Sequence, residues 1–318
     1  MEDADSKYIV KIKTVQIAAF KTLIEALKEI FRDLNIRFLI PYNEKTKQEG
    51  GLSISAMNSN GNVYVKLKLP AKNFEEYICR PKNGESSIVI GVNMTQFYKL
   101  IKTMNDEDNL TLFIEENRIN ELGIKLENPG RQYRTIFRLN LLDLDREEPY
   151  SIPEAKFNFV ITMLSSDLHN LIKNMSTIAE NVDIKYIDIQ DMRNTLIFNC
   201  KGEFASQETI FADNSKNNNI NLGTKESTSI KITQSNQEDK CSNEIIQGVY
   251  QLKTLSLFSK CSSLCNNLEM YIKNNYPLVI KYMVANLGYV YLILSSVAEN
   301  NNYKECESNS ESGDEMWI

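Results

Sequence analysis

Several motifs and residue types on which enzymes commonly depend are scarce or absent in this 318-residue chain. His169 is the only histidine, so acid–base catalysis by histidine would rest on that residue alone. The sequence contains no P-loop, no G-x-G-x-x-G, no nucleophile elbow and no H-E-x-x-H pattern. Carboxylates are abundant, but their spacing singles out no catalytic pair. We therefore expect a protein that is not an enzyme and that uses no cofactor.

The cysteines also lack the spacing of a metal or redox site. The six cysteines include no C-x-x-C pair. With a single histidine available, a zinc site would need mostly thiolates or carboxylates, and no suitable spacing of these is found. We expect no metal site, and most of the cysteines fit better as small apolar core residues in a reducing compartment.

Targeting and membrane signals are missing too. The first seven residues lack the basic start and apolar stretch of a signal peptide, and no apolar run reaches membrane-spanning length. We expect a soluble intracellular protein with no membrane partner. The 36 basic residues are outnumbered by 42 acidic ones, giving a net charge of −6. This balance argues against binding nucleic acid over the whole surface, but it permits a local basic stripe.

What the sequence does contain is a connector near its middle, at residues 140–154. Its acidic residues repel one another into an extended form, and Pro149 and Pro153 disfavour a helix. The alternative is an ordinary surface loop between two strands. The patterns on either side favour a linker, because the same order of strands and helices can be read twice.

The first copy begins with an alternating strand at Tyr8–Lys13, followed by a helical apolar period from Ile17 to Leu34. A second helix is predicted at Met94–Met104. Alternation and turn residues predict the remaining strands at Arg37–Ile40, Gly51–Met57, Val63–Leu69, Ser87–Val92, Leu110–Glu115, Leu122–Leu126 and Thr135–Leu142.

The second copy begins with a strand at Phe157–Thr162 and a helix at Asp167–Ile178. Leu252, Leu255 and Phe258 predict the buried side of its second helix. When the two copies are aligned at one constant offset, four apolar residues of the first match four of the second: Leu23, Ile30, Leu34 and Ile36 align with Leu171, Ile178, Val182 and Ile184. The chain therefore contains a repeat in pattern, though not in identity.

These patterns predict an α+β chain with two similar domains, at residues 1–141 and 157–298, joined by a linker at 142–156. A polar insertion at about 213–244, with one strand near its middle at Ser229–Thr233, stands outside the repeat. The acidic tail, 299–318, is expected to be disordered.

Each of the four predicted helices carries basic residues away from its apolar side. On the first helix Lys21, Lys28 and Arg32 fall within roughly 20° of one line on a helical wheel. Any one such face is more simply a solvated surface. Four such basic faces in equivalent places favour a common function, in which lysine and arginine bind DNA phosphates without contacting the bases.

Several separated segments stand out in order along the chain: Phe20–Lys28, Gly91–Thr95 with Asp108–Leu112, Leu142–Asp145 with Ile152-Pro153, and Tyr276–Tyr282. Together they resemble the proliferating cell nuclear antigen type of DNA sliding clamp. The resemblance covers nearly the whole chain apart from the polar insertion and the tail.

The resemblance implies a homotrimeric ring with helices lining the central hole and antiparallel sheets outside. It implies a DNA polymerase processivity factor that encircles duplex DNA of any sequence, needs a clamp loader, and works where DNA is replicated, in a nucleus or a viral replication compartment. Its edge strands would pair Leu122–Leu126 with roughly Phe204–Phe211. The residues matching DNA-facing positions are Lys21, Lys28, Lys99, Lys102, Lys173, Lys253 and Lys260, and the helical wheel alone adds Arg32 and His169.

The family also binds polymerases and other replication and repair proteins through a short peptide, in a pocket under the linker. Met57, Ile152 and Pro277 match that pocket. The linker is longer than usual around Pro149 and Tyr150, and Ile293 occupies a place where an aromatic residue is usual. These departures predict a different peptide preference, with an apolar groove for a hydrophobic anchor.

Two alternatives remain open at this stage. One is a subunit of a heterotrimeric checkpoint clamp, which would stay monomeric alone. The other is a non-encircling scaffold or monomeric processivity factor that binds DNA on one face. Oligomeric state separates the ring from both.

Overall fold

The computed structural model of the protein describes residues 7–43, 48–82, 84–145, 157, 159–188, 194–212, 230–234 and 244–297. Most of the predicted linker, parts of the polar insertion, and the tail lie outside these residues. Within them, the chain folds as two halves with the same order of elements. The second half repeats the first except for one short hairpin.

The first half begins with strand β1 (Tyr8–Thr14) and helix α1 (Ile17–Ile30). The strands after it are β2 (Asp33–Leu39), the short hairpin of β3 (Tyr42–Asn43) and β4 (Gln48–Glu49), β5 (Gly51–Met57), β6 (Val63–Pro70), β7 (Glu76–Cys79) and β8 (Ser87–Asn93). Helix α2 (Met94–Ile101) is followed by β9 (Asn109–Glu115), β10 (Arg118–Asn128) and β11 (Tyr133–Asn140).

The second half begins with β12 (Phe159–Leu164) and α3 (Ser165–Met175). The next strands are β13 (Asn181–Asp188), β14 (Thr195–Lys201), β15 (Ser206–Ala212), β16 (Ile230–Gln234) and β17 (Glu244–Gln251). Helix α4 (Leu252–Ser256) continues as a 3₁₀ helix (Leu257–Ser263), and β18 (Asn267–Tyr271), β19 (Leu278–Val284) and β20 (Gly288–Leu294) complete the half.

The described strands form three large antiparallel sheets. A five-stranded sheet of the first half has the order β11-β10-β9-β1-β7, and a four-stranded sheet of the second half has the order β15-β14-β13-β17. The third sheet has nine strands, β16-β12-β18-β19-β20-β6-β5-β2-β8, and belongs to both halves. Its centre is the pairing of β20 with β6, from Tyr289 opposite Lys68 to Leu294 opposite Val63.

Helix α1 ends earlier than its apolar period predicts. The prediction of a helix through Leu34 is wrong, because Phe31 takes an extended conformation (φ −125°, ψ 136°) and β2 begins at Asp33. Leu34 is buried all the same, since it faces the core as a strand residue opposite Val92. Helical and strand periods both place an apolar residue at this position, so periodicity alone could not locate the boundary.

The fourth helix is also shorter than predicted. Only Leu252–Ser256 is α-helical, and the chain then tightens into a 3₁₀ helix. Its buried residues recur every third position, at Leu252, Leu255, Phe258, Cys261 and Leu264. Within the 3₁₀ segment this spacing matches the three residues per turn, which keeps Phe258 and Cys261 on one face.

The helices lie side by side in one layer that spans both halves. Helix α1 contacts α2 on one side and the 3₁₀ helix on the other, and α3 contacts α4 and the 3₁₀ helix. Lys260 Nζ lies 3.2 Å from Glu25 Oε1, an ion pair that joins the two halves. Phe20 and Leu23 of α1 are buried in the core of the first half. Among the described residues no helix is long and apolar enough to cross a membrane.

The predicted interface strand Leu122–Leu126 is not a sheet edge. It lies within β10, which pairs with β9 on one side and with β11 on the other. The edge on this side of the sheet is β11, so that part of the prediction is wrong. Both strands alternate apolar and polar residues, and the sequence does not tell which of two consecutive alternating strands is outermost.

A buried hydrogen-bond cluster joins the ends of β9, β10 and β11. Asp108, 2% exposed, accepts hydrogen bonds from Tyr133 Oη (2.7 Å), Asn128 Nδ2 (2.9 Å) and the Asn105 backbone N–H (2.9 Å). Burial by itself raises the pKa of Asp108. The three hydrogen bonds outweigh burial and hold the pKa below its ordinary value.

Replacing Asp108 with asparagine is expected to lower the free energy of unfolding at neutral pH by about 1–3 kcal/mol, because charge-assisted hydrogen bonds are lost in a buried place. The folded pKa is lowered, so this contribution is complete above the unfolded pKa of about 3.9 and is lost as pH falls through the folded pKa. Urea titrations at fixed protein concentration should therefore show the difference from wild type shrinking below about pH 4. The exposed Asp106→Asn is the control, and a pH-independent difference would contradict the assignment.

Candidate functional site

One face of the helix layer carries exposed lysines from both halves. Helix α2 begins at Met94, where Asn93 Oδ1 accepts the Gln96 backbone N–H at 3.0 Å, and this frame places Lys99 in its last turn and Lys102 at its C-cap. Lys173 lies in the last turn of α3 and Lys253 on α4. All four are exposed, and none forms an ion pair within the parts of the chain that are described.

Two other lysines of the predicted DNA-facing set are engaged within the protein. Lys21 is half-buried, and its Nζ donates to the Met104 carbonyl at 3.2 Å. Lys28 Nζ lies 2.5 Å from Glu29 Oε1 and 4.8 Å from the centre of the Tyr98 ring. The hydrogen bond to Glu29 raises the pKa of Lys28. These two lysines are less available to a phosphate than the four exposed ones.

The remaining members of the predicted set differ in position. Arg32 lies beyond the end of α1 and not on a helix, so the helical-wheel argument that added it is wrong. Its side chain is 87% exposed, and its Nε lies 3.8 Å from Asp33 Oδ2. His169 is half-buried on α3. Lys260, on the 3₁₀ helix, is paired with Glu25. The sequence places Glu25 close to the basic residues of the first helix, but it does not show that Glu25 pairs with Lys260.

The outer face of the nine-stranded sheet carries an apolar cluster where the two halves meet. Tyr64, Val279 and Ile293 are buried there, and Met57 packs against them. Aromatic side chains surround the cluster, with the Phe157 ring 5.4 Å from the rings of both Tyr271 and Tyr276. The members that packing adds are Tyr64, Phe157, Tyr271, Tyr276, Val279 and Tyr291. Outward alternation of Tyr289, Tyr291 and Ile293 was the sequence signal for this aromatic face.

The structure thus brings together two of the predicted pocket residues, Met57 and Ile293. Pro277 is half-buried and adjoins Tyr276 of the cluster. Pro149, Tyr150 and Ile152 lie outside the described residues. A groove of about 310 Å³ adjoins the cluster through Met57 and is bordered by Leu144 and Asp145 at the start of the linker.

The start of the linker is attached to the sheet edge beside this groove. Leu142 N–H donates to the Gly91 carbonyl at 2.8 Å, and Asn35 Nδ2 donates to the Asp145 carbonyl at 2.9 Å. A Cβ on Gly91 would lie 2.4 Å from the Leu142 carbonyl oxygen. Glycine at position 91 therefore lets the linker lie directly against β8.

The outermost strands β11 and β15 are the repeat equivalents of the two strands that join the halves. In the repeat, β11 corresponds to β20, because the order β11-β10-β9-β1-β7 parallels the order β20-β19-β18-β12-β16. In the same way β15 corresponds to β6, because β15-β14-β13-β17 parallels β6-β5-β2-β8. Strands β20 and β6 pair with each other, whereas β11 and β15 have a neighbour on one side only among the described strands. Among the sheet edges of the described residues, β11 and β15 are therefore the two whose repeat equivalents pair with each other.

The exposed faces of these edges are apolar and oppositely charged. Ile136 on β11 is 45% exposed and Ile210 on β15 is 56% exposed. Arg134 and Arg138 flank Ile136, and Arg138 also pairs with Glu115 at 3.1 Å within its own chain. Glu208 lies on the same face of β15 as Ile210. Exposed apolar residues on an unpaired edge mark a surface for strand pairing.

Comparison with known proteins identifies the family of both halves of the chain. The sequence profile of the proliferating cell nuclear antigen N-terminal domain matches residues 9–148, and that of the C-terminal domain matches residues 151–297. The chain belongs to the proliferating cell nuclear antigen family. This membership confirms the predicted α+β clamp fold of two similar domains.

Two viral relatives of the family illustrate the similarity. A "Probable DNA polymerase sliding clamp" of Acanthamoeba polyphaga mimivirus is 30% identical over 260 residues, which are 81% of this chain and 50% of that protein. A "Probable DNA polymerase sliding clamp 1" of Paramecium bursaria Chlorella virus 1 is 26% identical over 294 residues, 92% of this chain and 98% of that protein. The chain thus spans half the length of the mimivirus relative and nearly all of the other.

Proposed function

We propose that the protein is a DNA sliding clamp, a homotrimeric ring that encircles duplex DNA and holds a DNA polymerase on it. The observation that carries the proposal is the pair of unused edges, β11 and β15, equivalent to strands that already join two halves within the chain. Membership in the family and the names of the viral relatives support it.

The internal joint supplies a register for the joint between subunits. Tyr289 lies opposite Lys68 in the β20–β6 pair, and their repeat equivalents are Arg134 and Ile210. The same register puts Ile136 opposite Glu208. Glu208 then lies diagonally between Arg134 and Arg138 on one face, within reach of long side chains. This complementarity within one sequence favours a homotrimer over a heterotrimeric clamp.

Duplex DNA would lie against the basic face of the helix layer. Lys99, Lys102, Lys173 and Lys253 come from three helices in both halves, and lysine on a helix face binds phosphates without reading sequence. Three chains would present this set three times around the hole. Contacts of this kind are weak individually, so they permit sliding, and the closed ring prevents escape. Opening a ring held by strand pairing would need a clamp loader.

The apolar cluster would receive the peptides of polymerases and other clamp-binding proteins. An apolar cluster with buried Tyr64 and Ile293 at its centre and half-buried aromatic residues around them suits a hydrophobic anchor residue. The repeat equivalents of Ile293 and Val279 at the other joint are Arg138 and Gly123. Arg138 is charged and Gly123 has no side chain, so no second apolar cluster forms at the other joint. We therefore expect one peptide site per chain.

Met57→Ala is expected to weaken binding of a labelled peptide with one aliphatic and one aromatic anchor about tenfold, by loss of apolar contact. Calorimetry should show one peptide per chain for wild type. The control is Met283→Ala, since Met283 is exposed on β19 and lies outside the cluster. Equal peptide affinities of wild type and Met57→Ala would remove the cluster from the proposed site.

Mass determination by light scattering at micromolar concentration tests the proposal. A mass of three chains is expected. A monomer at that concentration would favour the alternatives, a heterotrimeric clamp subunit or a face-binding scaffold, and mixing with the other subunits would then separate those two.

A further inference from the structure

A second cavity lies within the helix layer of the second half, between α3 and the 3₁₀ helix that follows α4. Its volume is about 300 Å³. Buried Ile280 of β19 contributes to the floor, and buried Leu168 and Phe258 form the walls. Small-molecule sites are typically concave and apolar with a few polar groups, and about 300 Å³ is the lower end of their size range.

A tyrosine among the lining residues supplies a possible hydrogen-bond donor. Tyr282 lines it, is 3% exposed, and forms no hydrogen bond with any residue that the structure describes. Burial raises the pKa of Tyr282 well above its ordinary value, and the nearby thiols Cys261 and Cys265 act in the same direction. The hydroxyl therefore stays protonated and able to donate. Because it has no partner among the described residues, the hydroxyl is available to donate to a ligand acceptor in the cavity.

The opening of the cavity is cationic. Lys173 is exposed at its rim and forms no ion pair with a described residue, and half-buried His169 lies one helical turn away. The cavity thus combines aromatic and aliphatic walls, an internal donor and an uncompensated positive charge. Polar groups placed in this way fix the orientation of a ligand that has an apolar body and an anionic end.

We propose that this cavity binds a small aromatic anion, whose planar body packs between Leu168 and Phe258. An acceptor on the ligand takes the hydrogen bond of Tyr282, and its anionic group pairs with Lys173 at the rim. The site is separate from the apolar cluster on the outer sheet. It does not rest on ring closure, so it can be tested whatever the oligomeric state is.

The probe is 1-anilinonaphthalene-8-sulfonate, an aromatic monoanion, titrated by fluorescence against the full chain. Saturable binding is expected. Tyr282→Phe should weaken it about threefold to tenfold by loss of one hydrogen bond, and Lys173→Gln by a similar factor. The matched control is Lys102→Gln, an exposed lysine away from the cavity. The uncharged analogue N-phenyl-1-naphthylamine should bind wild type more weakly than the anion does.

Ser262→Phe, which fills the cavity from the 3₁₀ helix, should remove the saturable signal. Circular dichroism checks that this variant folds, and Tyr282→Phe tests the site if it does not. Binding unchanged in Tyr282→Phe and Lys173→Gln would overturn the proposal, because the probe would then occupy another apolar surface. Equal affinity for the anionic and neutral probes would overturn the assignment of an anionic ligand.

Discussion

A chain carrying Glu208→Arg is expected to be a monomer at concentrations at which the wild type forms a trimer. In the register inferred from the internal joint, Glu208 lies diagonally between Arg134 and Arg138 of the neighbouring chain. The substitution replaces two attractions by two repulsions. Each cross-strand pair contributes roughly 0.2–1 kcal/mol, so one interface should lose about 1–2 kcal/mol. Three identical interfaces multiply the effect to about 3–6 kcal/mol per ring, a factor of roughly 10²–10⁴.

Analytical ultracentrifugation over a concentration series measures this shift. Glu85→Arg makes the same charge change at an exposed residue away from both edges and should leave the trimer intact. The combination of Glu208→Arg with Arg134→Glu should restore part of the association, since it re-creates one opposite-charge pair. If the double variant associates no better than Glu208→Arg, the inferred register is incorrect.

Replacing the four exposed helix-face lysines with glutamine is expected to nearly abolish DNA binding at physiological salt. The variant combines Lys99→Gln, Lys102→Gln, Lys173→Gln and Lys253→Gln. Each lost phosphate contact should lower the slope of log K against log salt by about 0.9, and loss of several contacts lowers affinity by orders of magnitude. Measurements on duplexes of unrelated sequence should show the same loss, because lysine on a helix face reads no bases.

Two comparison variants make this result specific. Lys21→Gln with Lys28→Gln should change DNA affinity much less, since both ammonium groups are held within the protein. Lys66→Gln with Lys231→Gln neutralises exposed lysines on the sheets, away from the helix face, and should have no effect. A loss of affinity in the sheet variant equal to that of the helix-face variant would contradict a DNA site on the helices.

Periodicity was sufficient for most of the fold. Apolar residues at alternate positions predict β1, and apolar residues at helical spacing predict the start of α1, because the same residues are buried in the structure. The strand predicted inside the polar insertion is confirmed as β16. It pairs with β12 as β7 pairs with β1, so this strand belongs to the repeat, and the prediction that the whole segment stands outside it is wrong. The repeat was predicted from the shared order of strands and helices together with the matched apolar positions, and both halves of the structure have this order of elements.

Features that depend on tertiary contacts could not be predicted. Whether Leu34 belongs to a helix or to a strand depends on its pairing with β8. The three-residue spacing after Leu252 fits an α-helix and a 3₁₀ helix equally well over one turn. The outer strand was misidentified because β10 and β11 alternate in the same way. Lys21 and Lys28 remain predicted DNA contacts, but their partners Met104 and Glu29 became visible only in the fold.

The central claim is that the protein encircles DNA through β11–β15 joints, and a covalently closed ring tests it most directly. Thr135 and Thr209 are opposite each other in the inferred register, so the variant Thr135→Cys with Thr209→Cys should form disulfides between neighbouring chains. The variant is mixed with linear duplex DNA, onto whose ends a closed ring can thread without a loader, and the DNA is then circularised with ligase. The protein is oxidised, and the complex is washed at about 1 M salt, where electrostatic binding is screened. We predict that covalent trimers stay on the circle and are released when a restriction enzyme cuts it. Loss of protein in the salt wash, or retention after the cut, would contradict a ring around DNA.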